Sequence, residues 1–262
     1  MRVFDCLFYV LILIFLSVVS VQAVKVKELD MTVDINAVSA YVQRGMILND
    51  EPCIQPSIDI RADDLALNIW GTWDLTDVTN SSSRTRMDVK LDYTKQVGRN
   101  IFKAGVISYI YHDDSRGQAK DTFELQLDYA VDIPRCPILP SLTINYDFGE
   151  IQGVYSTLGL ASFVPLKNKI WDMDMYFFLS AGDANYVNYS FNPADPDGGL
   201  LDASLIDFEA RLAFPYKSRE YCTITPEVRY VMLIGSDIKD QVEQMGLDTD
   251  EIIYSVSMAF AF

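Results

Sequence analysis

The chain has 262 residues, 50% of them apolar and 12% aromatic, with 37 Asp and Glu against 21 Lys and Arg for a formal charge of −16. The apolar content, with neither Gly (13) nor Pro (10) enriched, excludes a disordered polymer and a collagen-like chain. The acidic excess excludes nucleic acid as a partner, since phosphate binding needs a basic surface that releases counterions; four Cys without a C-x-x-C pair and one His are too few for a standard zinc site, so no metal or other cofactor is expected.

Residues 1–23 read as a cleaved secretory signal peptide. Arg2 gives a short positive start, Leu7–Val19 is apolar apart from Ser17, and Val21-Gln22-Ala23 offers a signal-peptidase site. The apolar stretch falls short of the roughly 20 residues that a membrane-crossing helix needs, and Cys6 lies before it, where lipid attachment does not occur. Residues 24–262 then form one unit with no further apolar run long enough for a transmembrane helix.

What recurs in that unit is period two. Met87, Val89, Leu91 and Tyr93 alternate with Asp88, Lys90, Asp92 and Thr94; Phe123, Leu125, Leu127 and Tyr129 alternate with Thr122, Glu124, Gln126 and Asp128. Successive side chains of a strand point to opposite sides, so these are two-faced strands. The pattern predicts strands over 31–43, 56–62, 65–74, 84–95, 100–111, 120–131, 140–149, 152–164, 169–181, 203–215, 221–233 and 251–262. That makes an all-β fold of about twelve strands, or ten if the weak second strand or the pair flanking the short 150–151 connection is misread. Connections alternate between long ones, around 49–52, 77–83, 112–119, 182–202 and 235–250, and tight ones at 63–64, 96–99, 166–168 and 216–220. This is the parity of an antiparallel transmembrane barrel with both termini at one end. Two connections break it: 132–139 is long and Pro-rich where a tight turn is expected, and Glu150-Ile151 is short where a longer loop is expected.

A soluble sandwich also alternates apolar and polar residues, and the last strand separates the two cases. Ile252, Tyr254, Val256, Met258, Phe260 and Phe262 alternate with small residues up to the final position. Soluble termini fray into water and rarely carry such side chains. The pattern resembles the terminal strand of bacterial outer-membrane barrels, which implies that Tyr254, Val256, Met258, Phe260 and Phe262 form an assembly signal read by the barrel-assembly machinery. The expected location is the bacterial outer membrane, with lipid and lipopolysaccharide around the barrel.

Tyr41-Val42-Gln43-Arg44-Gly45, followed by Pro52, Gln55-Pro56-Ser57 and Asn68-Ile69-Trp70-Gly71, resembles the Gcw_chp family of uncharacterised bacterial outer-membrane barrels. The resemblance rests on Tyr41, Arg44, Gly45, Pro52, Gln55 and Trp70 and is strongest over residues 37–95; beyond that only the strand rhythm is shared. The family's Glu-x-Asp on the fourth strand is here Arg86-Met87-Asp88, so any role of that Glu does not carry over. The resemblance implies fold and location, not an activity.

If the apolar faces meet lipid, the lumen is lined by Asp34, Asp59, Arg61, Asp88, Lys90, Asp92, Lys103, Glu124, Asp128, Asp147, Asp172, Asp174, Asp207, Glu209, Arg211, Glu227 and Arg229. Acids outnumber bases there, and lining charge sets the potential a permeating ion meets. The expected function is therefore a porin-like barrel, a narrow and mildly cation-preferring channel for small polar or cationic solutes, and not an enzyme. The alternative is a closed structural or surface-interaction barrel; the third reading is a hydrolase at the rim, for which His112-Asp113-Asp114-Ser115 offers a base beside an acid. Adjacent residues of an extended chain point apart, so a solvated polar loop explains that stretch better. Asp195, Asp197 and Asp202 lack the acidic spacing of a calcium loop, and the acids of 237–251 read as solvated surface. Cys53, Cys136 and Cys222 are an odd number in the mature chain, which precludes a full disulfide framework. Trp70, Trp73, Tyr93, Tyr129, Trp171 and Tyr254 fall near strand ends, where interfacial girdles are the expected role and ordinary packing the alternative.

Overall fold

The computed structural model describes residues 29–75, 85–112, 120–166, 170–192 and 201–262. Twelve long antiparallel strands close into a barrel. They are β1 (Leu29–Val38), β4 (Cys53–Ala62), β5 (Leu65–Asp74), β6 (Thr85–Val97), β7 (Asn100–His112), β8 (Thr122–Val131), β9 (Ile138–Asp147), β10 (Val154–Pro165), β11 (Asp172–Gly182), β12 (Ser204–Ala213), β14 (Cys222–Leu233) and β15 (Asp250–Ala261). A hairpin of β2 (Tyr41–Gln43) and β3 (Met46–Asn49) stands apart from the wall, and short β13 (Tyr216–Arg219) adds to β14. Two helices, α1 (Ala184–Phe191) and α2 (Ser236–Gln244), follow β11 and β14.

Every wall strand pairs with its neighbour in the chain, and β15 returns to β1, so no sheet edge is left open. Met31 and Phe262 exchange two backbone hydrogen bonds across that seam, at 2.9 and 3.3 Å. Closure lets the backbone groups of the wall pair within it, which a lipid environment demands. The outward face is apolar and uncovered: Leu158, Leu160, Ile252 and Val256 are 58%, 47%, 50% and 51% exposed. A soluble monomer does not present such a continuous belt, whereas a transmembrane barrel does.

The expected strand count of twelve holds, with two corrections: 216–220, read as a tight connection, carries the short strand β13 paired with β14, and the first strand is shorter than read. The stretch 31–43 is not one strand: β1 ends at Val38, the chain bends at Ser39-Ala40, and Tyr41–Gln43 belongs to the separate hairpin. Buried Ala40, with Val42, packs on Val231 and Ile253 of the inner wall, which turns the chain inward. The parity of connections is as expected, with the tight turns on the mouth that carries Leu29 and Phe262 and the long ones on the far mouth. The short far-mouth connection after β9 is held by Asp147, whose carboxylate accepts from Thr122 Oγ1 (2.7 Å), Gly149 N (2.9 Å) and Ile151 N (3.0 Å). One side chain that satisfies two loop amides removes the need for a longer loop. The last two long connections are not plain loops. Asp183 caps α1 through Tyr186 N at 2.8 Å, and Asp237, Asp240 and Glu243 sit on the exposed face of α2 while Ile238 and Val242 are buried. Together α1, α2 and the wall form an apolar cluster at the far mouth, built from Tyr186, Val187, Phe191, Leu201, Ile206, Leu233, Ile238 and Val242.

Candidate functional site

Facing residues of an antiparallel pair share a side of the sheet. The chain of partners Asp34↔Ser57, Ser57↔Trp70, Trp70↔Asp88, Asp88↔Tyr109 and Tyr109↔Thr122 therefore marks one face. Glu124↔Asp147, Asn145↔Tyr155, Ser180↔Thr157, Arg211↔Tyr176, Arg229↔Arg211 and Ile253↔Arg229 continue it around the barrel. Glu124, Asp147 and Asp207 on that face are buried, while Leu125, Ile144 and Leu205 next to them are exposed, so it is the lumen face. All the charged residues read from the alternation as lumen-lining lie on this face. Arg86 lies there too, unlisted by the alternation because it sits at the start of its strand. So does Trp70, which corrects its expected place in an interfacial girdle: its register partners Ser57 and Asp88 are inward, and its ring lies 6.1 Å from that of Tyr41. Trp73, Tyr93, Tyr129 and Tyr254 face outward and are exposed, and Trp171 packs its ring on Tyr216 at 4.7 Å.

Much of the lining charge is paired. Arg61–Asp59 (2.6 Å), Arg86–Asp88 (2.7 Å), Lys90–Asp92 (3.6 Å) and Lys217–Asp172 (2.9 Å) are ion pairs, as is Arg211–Glu209. Asp128 accepts from Thr143 (2.6 Å), and Asp207 accepts from Tyr155 (3.1 Å) and Ser180 (3.5 Å). Aromatic rings of Phe163, Tyr176 and Phe178 line the wall between β10 and β12, with the Arg211 guanidinium over Phe178 at 5.4 Å.

Across this lumen lies the β2–β3 hairpin, whose two-residue turn is Arg44-Gly45. Both have positive φ, 50° and 82°, the type I′ geometry that matches strand twist in tight hairpins. Gly45 also permits close approach, since a Cβ there would stand 2.6 Å from Asp207 Cβ and 2.8 Å from Leu233 Cδ2. Arg44 reaches the opposite wall. Its Nη1 and Nη2 donate to the two carboxylate oxygens of Glu124 at 2.7 and 2.5 Å, and to the hydroxyls of Tyr186 (3.0 Å) and Tyr109 (3.2 Å). Tyr109 in turn donates to Glu124 at 2.9 Å, and the guanidinium stacks over Tyr155 at 4.4 Å. Burial pushes the Tyr186 phenol above its ordinary range, so it stays neutral and accepts from the arginine. The side chains of Glu124 and Arg44 are 2% and 15% exposed, so this is a buried, bidentate pair in an aromatic cage. At the hairpin base, Asn49 donates to Asp74 at 2.7 Å.

His112 ends β7, and 113–119 and 193–200, with Asp113, Asp114, Ser115, Asp195 and Asp197, lie outside the described residues. Cys53, Cys136 and Cys222 are free thiols. Among the described residues no group of three or more His, Cys, Asp and Glu could hold a metal. The hairpin itself escaped the alternation, although Arg-Gly between Tyr41–Gln43 and Met46–Asn49 was its turn signal.

A family model described as "Bacterial protein of unknown function (Gcw_chp)" matches residues 23–171, well beyond the motif-bearing stretch. No curated protein matches the chain. Among solved structures, a KdgM porin is similar over 88% of this chain and 99% of its own, at 12% identity and a TM-score of 0.53. The same KdgM porin in complex with disordered oligogalacturonate gives the same values. A NanC porin is similar over 87% and 98% at 10% identity and a TM-score of 0.53. At these identities the likeness is one of fold.

Proposed function

The chain belongs to the Gcw_chp family of bacterial proteins of unknown function, and from that premise we propose that it is a porin-like barrel of the outer membrane, a narrow passage for small polar solutes held shut at rest by its own hairpin. The observation that carries this reading is a charged lining inside a closed twelve-stranded wall, crossed by a hairpin that one buried ion pair anchors. A barrel meant only as a scaffold has no use for ionisable groups on its inner face, because each costs desolvation unless water or a partner reaches it. The likeness to two porins of nearly the same length supports the reading at the level of the fold. The seated hairpin is also the specific observation favouring the second reading, a permanently closed structural barrel.

Solute preference follows from the charges left over. Asp34, Asp128, Asp147, Asp174, Asp207 and Glu227 are in none of the ion pairs among the described residues, against Lys103 and Arg229 among the bases. The residual excess is acidic, so the passage should favour cations mildly. Reversal potentials across a potassium chloride gradient in planar bilayers test this, with a permeability ratio of about two to five for potassium over chloride expected from a lining of this sign. Anion preference would refute the lining assignment, and absence of conductance in the wild type and in hairpin variants would leave the closed barrel.

The terminal strand carries a further expectation. Phe262 is exposed beyond the seam with β1, and as part of the assembly signal its replacement by Ser should cut the folded, heat-modifiable band several-fold while the chain is still secreted. An unchanged gel shift would remove Phe262 from that role.

A further inference from the structure

Three aromatic rings run along the lumen wall from beneath the hairpin toward the mouth that carries Phe262. Phe178 rests on Gly159, where an added Cβ would stand 3.3 Å from the ring. Tyr176 lies at 12° to Phe178 with centroids 6.2 Å apart, opposite Ala161 on β10. Small residues beneath these two rings let them lie along the wall with a face toward the lumen. Phe163 stands at 80° to Tyr176, with centroids 5.7 Å apart, so the two rings form the floor and side of a corner. Although it points into the lumen, Phe163 is 52% exposed, which leaves the corner open to water.

The upper part of this wall already holds a cation. The Arg211 guanidinium lies over Phe178 at 5.4 Å, and its charge is met by Glu209, which faces Phe178 across the β11–β12 ladder. Lower down the same parts recur without the cation: Asp174 faces Phe163 across the β10–β11 ladder, and among the described residues no guanidinium or ammonium stands over Phe163 or Tyr176. The surrounding charges leave Asp174 in excess. Arg211 and Arg229 are offset by Glu209 and Glu227, which both act on Arg229, and Lys217, which also acts on Asp174, is bound to Asp172 at 2.9 Å. The sum over Asp172, Asp174, Glu209 and Glu227 against Arg211, Lys217 and Arg229 is one negative charge. Lys167 and Lys169, before β11, lie outside the described residues.

We propose that this corner binds one small organic cation of the quaternary ammonium class, its headgroup on the face of Tyr176, against Phe163 and beside the Asp174 carboxylate. Ring faces attract cations through their quadrupole, and methylated ammonium is the form that packs on them while giving up little hydration. A metal ion keeps its water and gains little from the rings, so the corner distinguishes the two. The site deepens the cation-preferring reading, and rests on it for the class of solute, but binding is asked of the folded barrel with no flux.

The test is calorimetric titration of the full mature chain, folded in octyl glucoside, with choline chloride as the probe. Its counterpart is the neutral alcohol in which carbon replaces the choline nitrogen. One saturable site is expected for choline, with the neutral alcohol and sodium each about tenfold weaker or more. Phe163→Leu, which keeps an apolar side chain but removes the ring, and Asp174→Asn should each weaken choline about fivefold with the heat-modifiable gel shift intact, while Phe163→Tyr keeps the affinity. No saturable choline binding to the folded wild type, equal binding of the neutral alcohol, or a Phe163→Leu variant that binds as well as the wild type would each overturn the proposal. Choline binding by a barrel that never conducts would overturn the channel reading alone, and cation-preferring conductance without choline binding would overturn this site alone.

Discussion

Arg44→Ala is expected to raise the mean conductance of the barrel in planar bilayers by about tenfold or more, the largest functional effect of any single substitution in the chain. The reasoning starts from the pair with Glu124, whose side chains are 15% and 2% exposed. Removing one partner of a buried ion pair costs roughly 3–5 kcal/mol, because the other charge stays desolvated. That penalty applies only while the hairpin is seated; once it swings away, Glu124 meets water. Even 1.4 kcal/mol of such a difference is about a tenfold shift between seated and displaced states. An isolated two-stranded hairpin is marginal by itself, so β2–β3 depends on anchors such as this one. Arg44→Lys keeps the charge but loses the bidentate fork and the stack on Tyr155, and should fall between wild type and Ala. Gly45→Val should act in the same direction as Arg44→Ala, since φ of 82° disfavours a β-branched residue and its Cβ would meet Asp207 and Leu233. If all three variants keep the heat-modifiable band and conduct as the wild type does, the hairpin is not the barrier.

Phe191→Ala is expected to loosen the far mouth without melting the wall. Phe191 is fully buried between α1, α2 and the ends of β12 and β14, and truncating a buried Phe costs roughly 3–5 kcal/mol from lost burial and the cavity left behind. The loss falls on the helical cap. The wall is held separately by continuous ladders, and a protein opens in such cooperative parts. Limited proteolysis should therefore cut within 183–203 far faster than in the wild type, by about a hundredfold or more in the opening equilibrium, while the gel shift of the barrel stays unchanged. Because Tyr186 rides on the same helix and accepts from Arg44, conductance should rise too, though less than in Arg44→Ala. Equal protease resistance would show that the helices are not held by this cluster.

The amino-acid sequence by itself determined the wall. Alternation such as Met87, Val89, Leu91 and Tyr93 against Asp88, Lys90, Asp92 and Thr94 is a local property of a strand, so it gave strand positions and the lumen face with no knowledge of any partner. A count of twelve strands or ten, and most of the placement of long and tight connections, followed from the same local signal. Tertiary structure alone decided what the polar face does. Arg44 and Glu124 are 80 residues apart, and no periodicity links a turn residue to the strand it will meet across the lumen. For the same reason Trp70, legible as an aromatic near a strand end, came to lie on the inner face against Tyr41, and the acids of 237–243 became the outer face of a helix whose Ile238 and Val242 are buried. Strand formation is decided between neighbours in the chain; the contacts inside the lumen are decided by which inward side chains meet across it, and that depends on the barrel's diameter and stagger, which exist only after all twelve strands have paired.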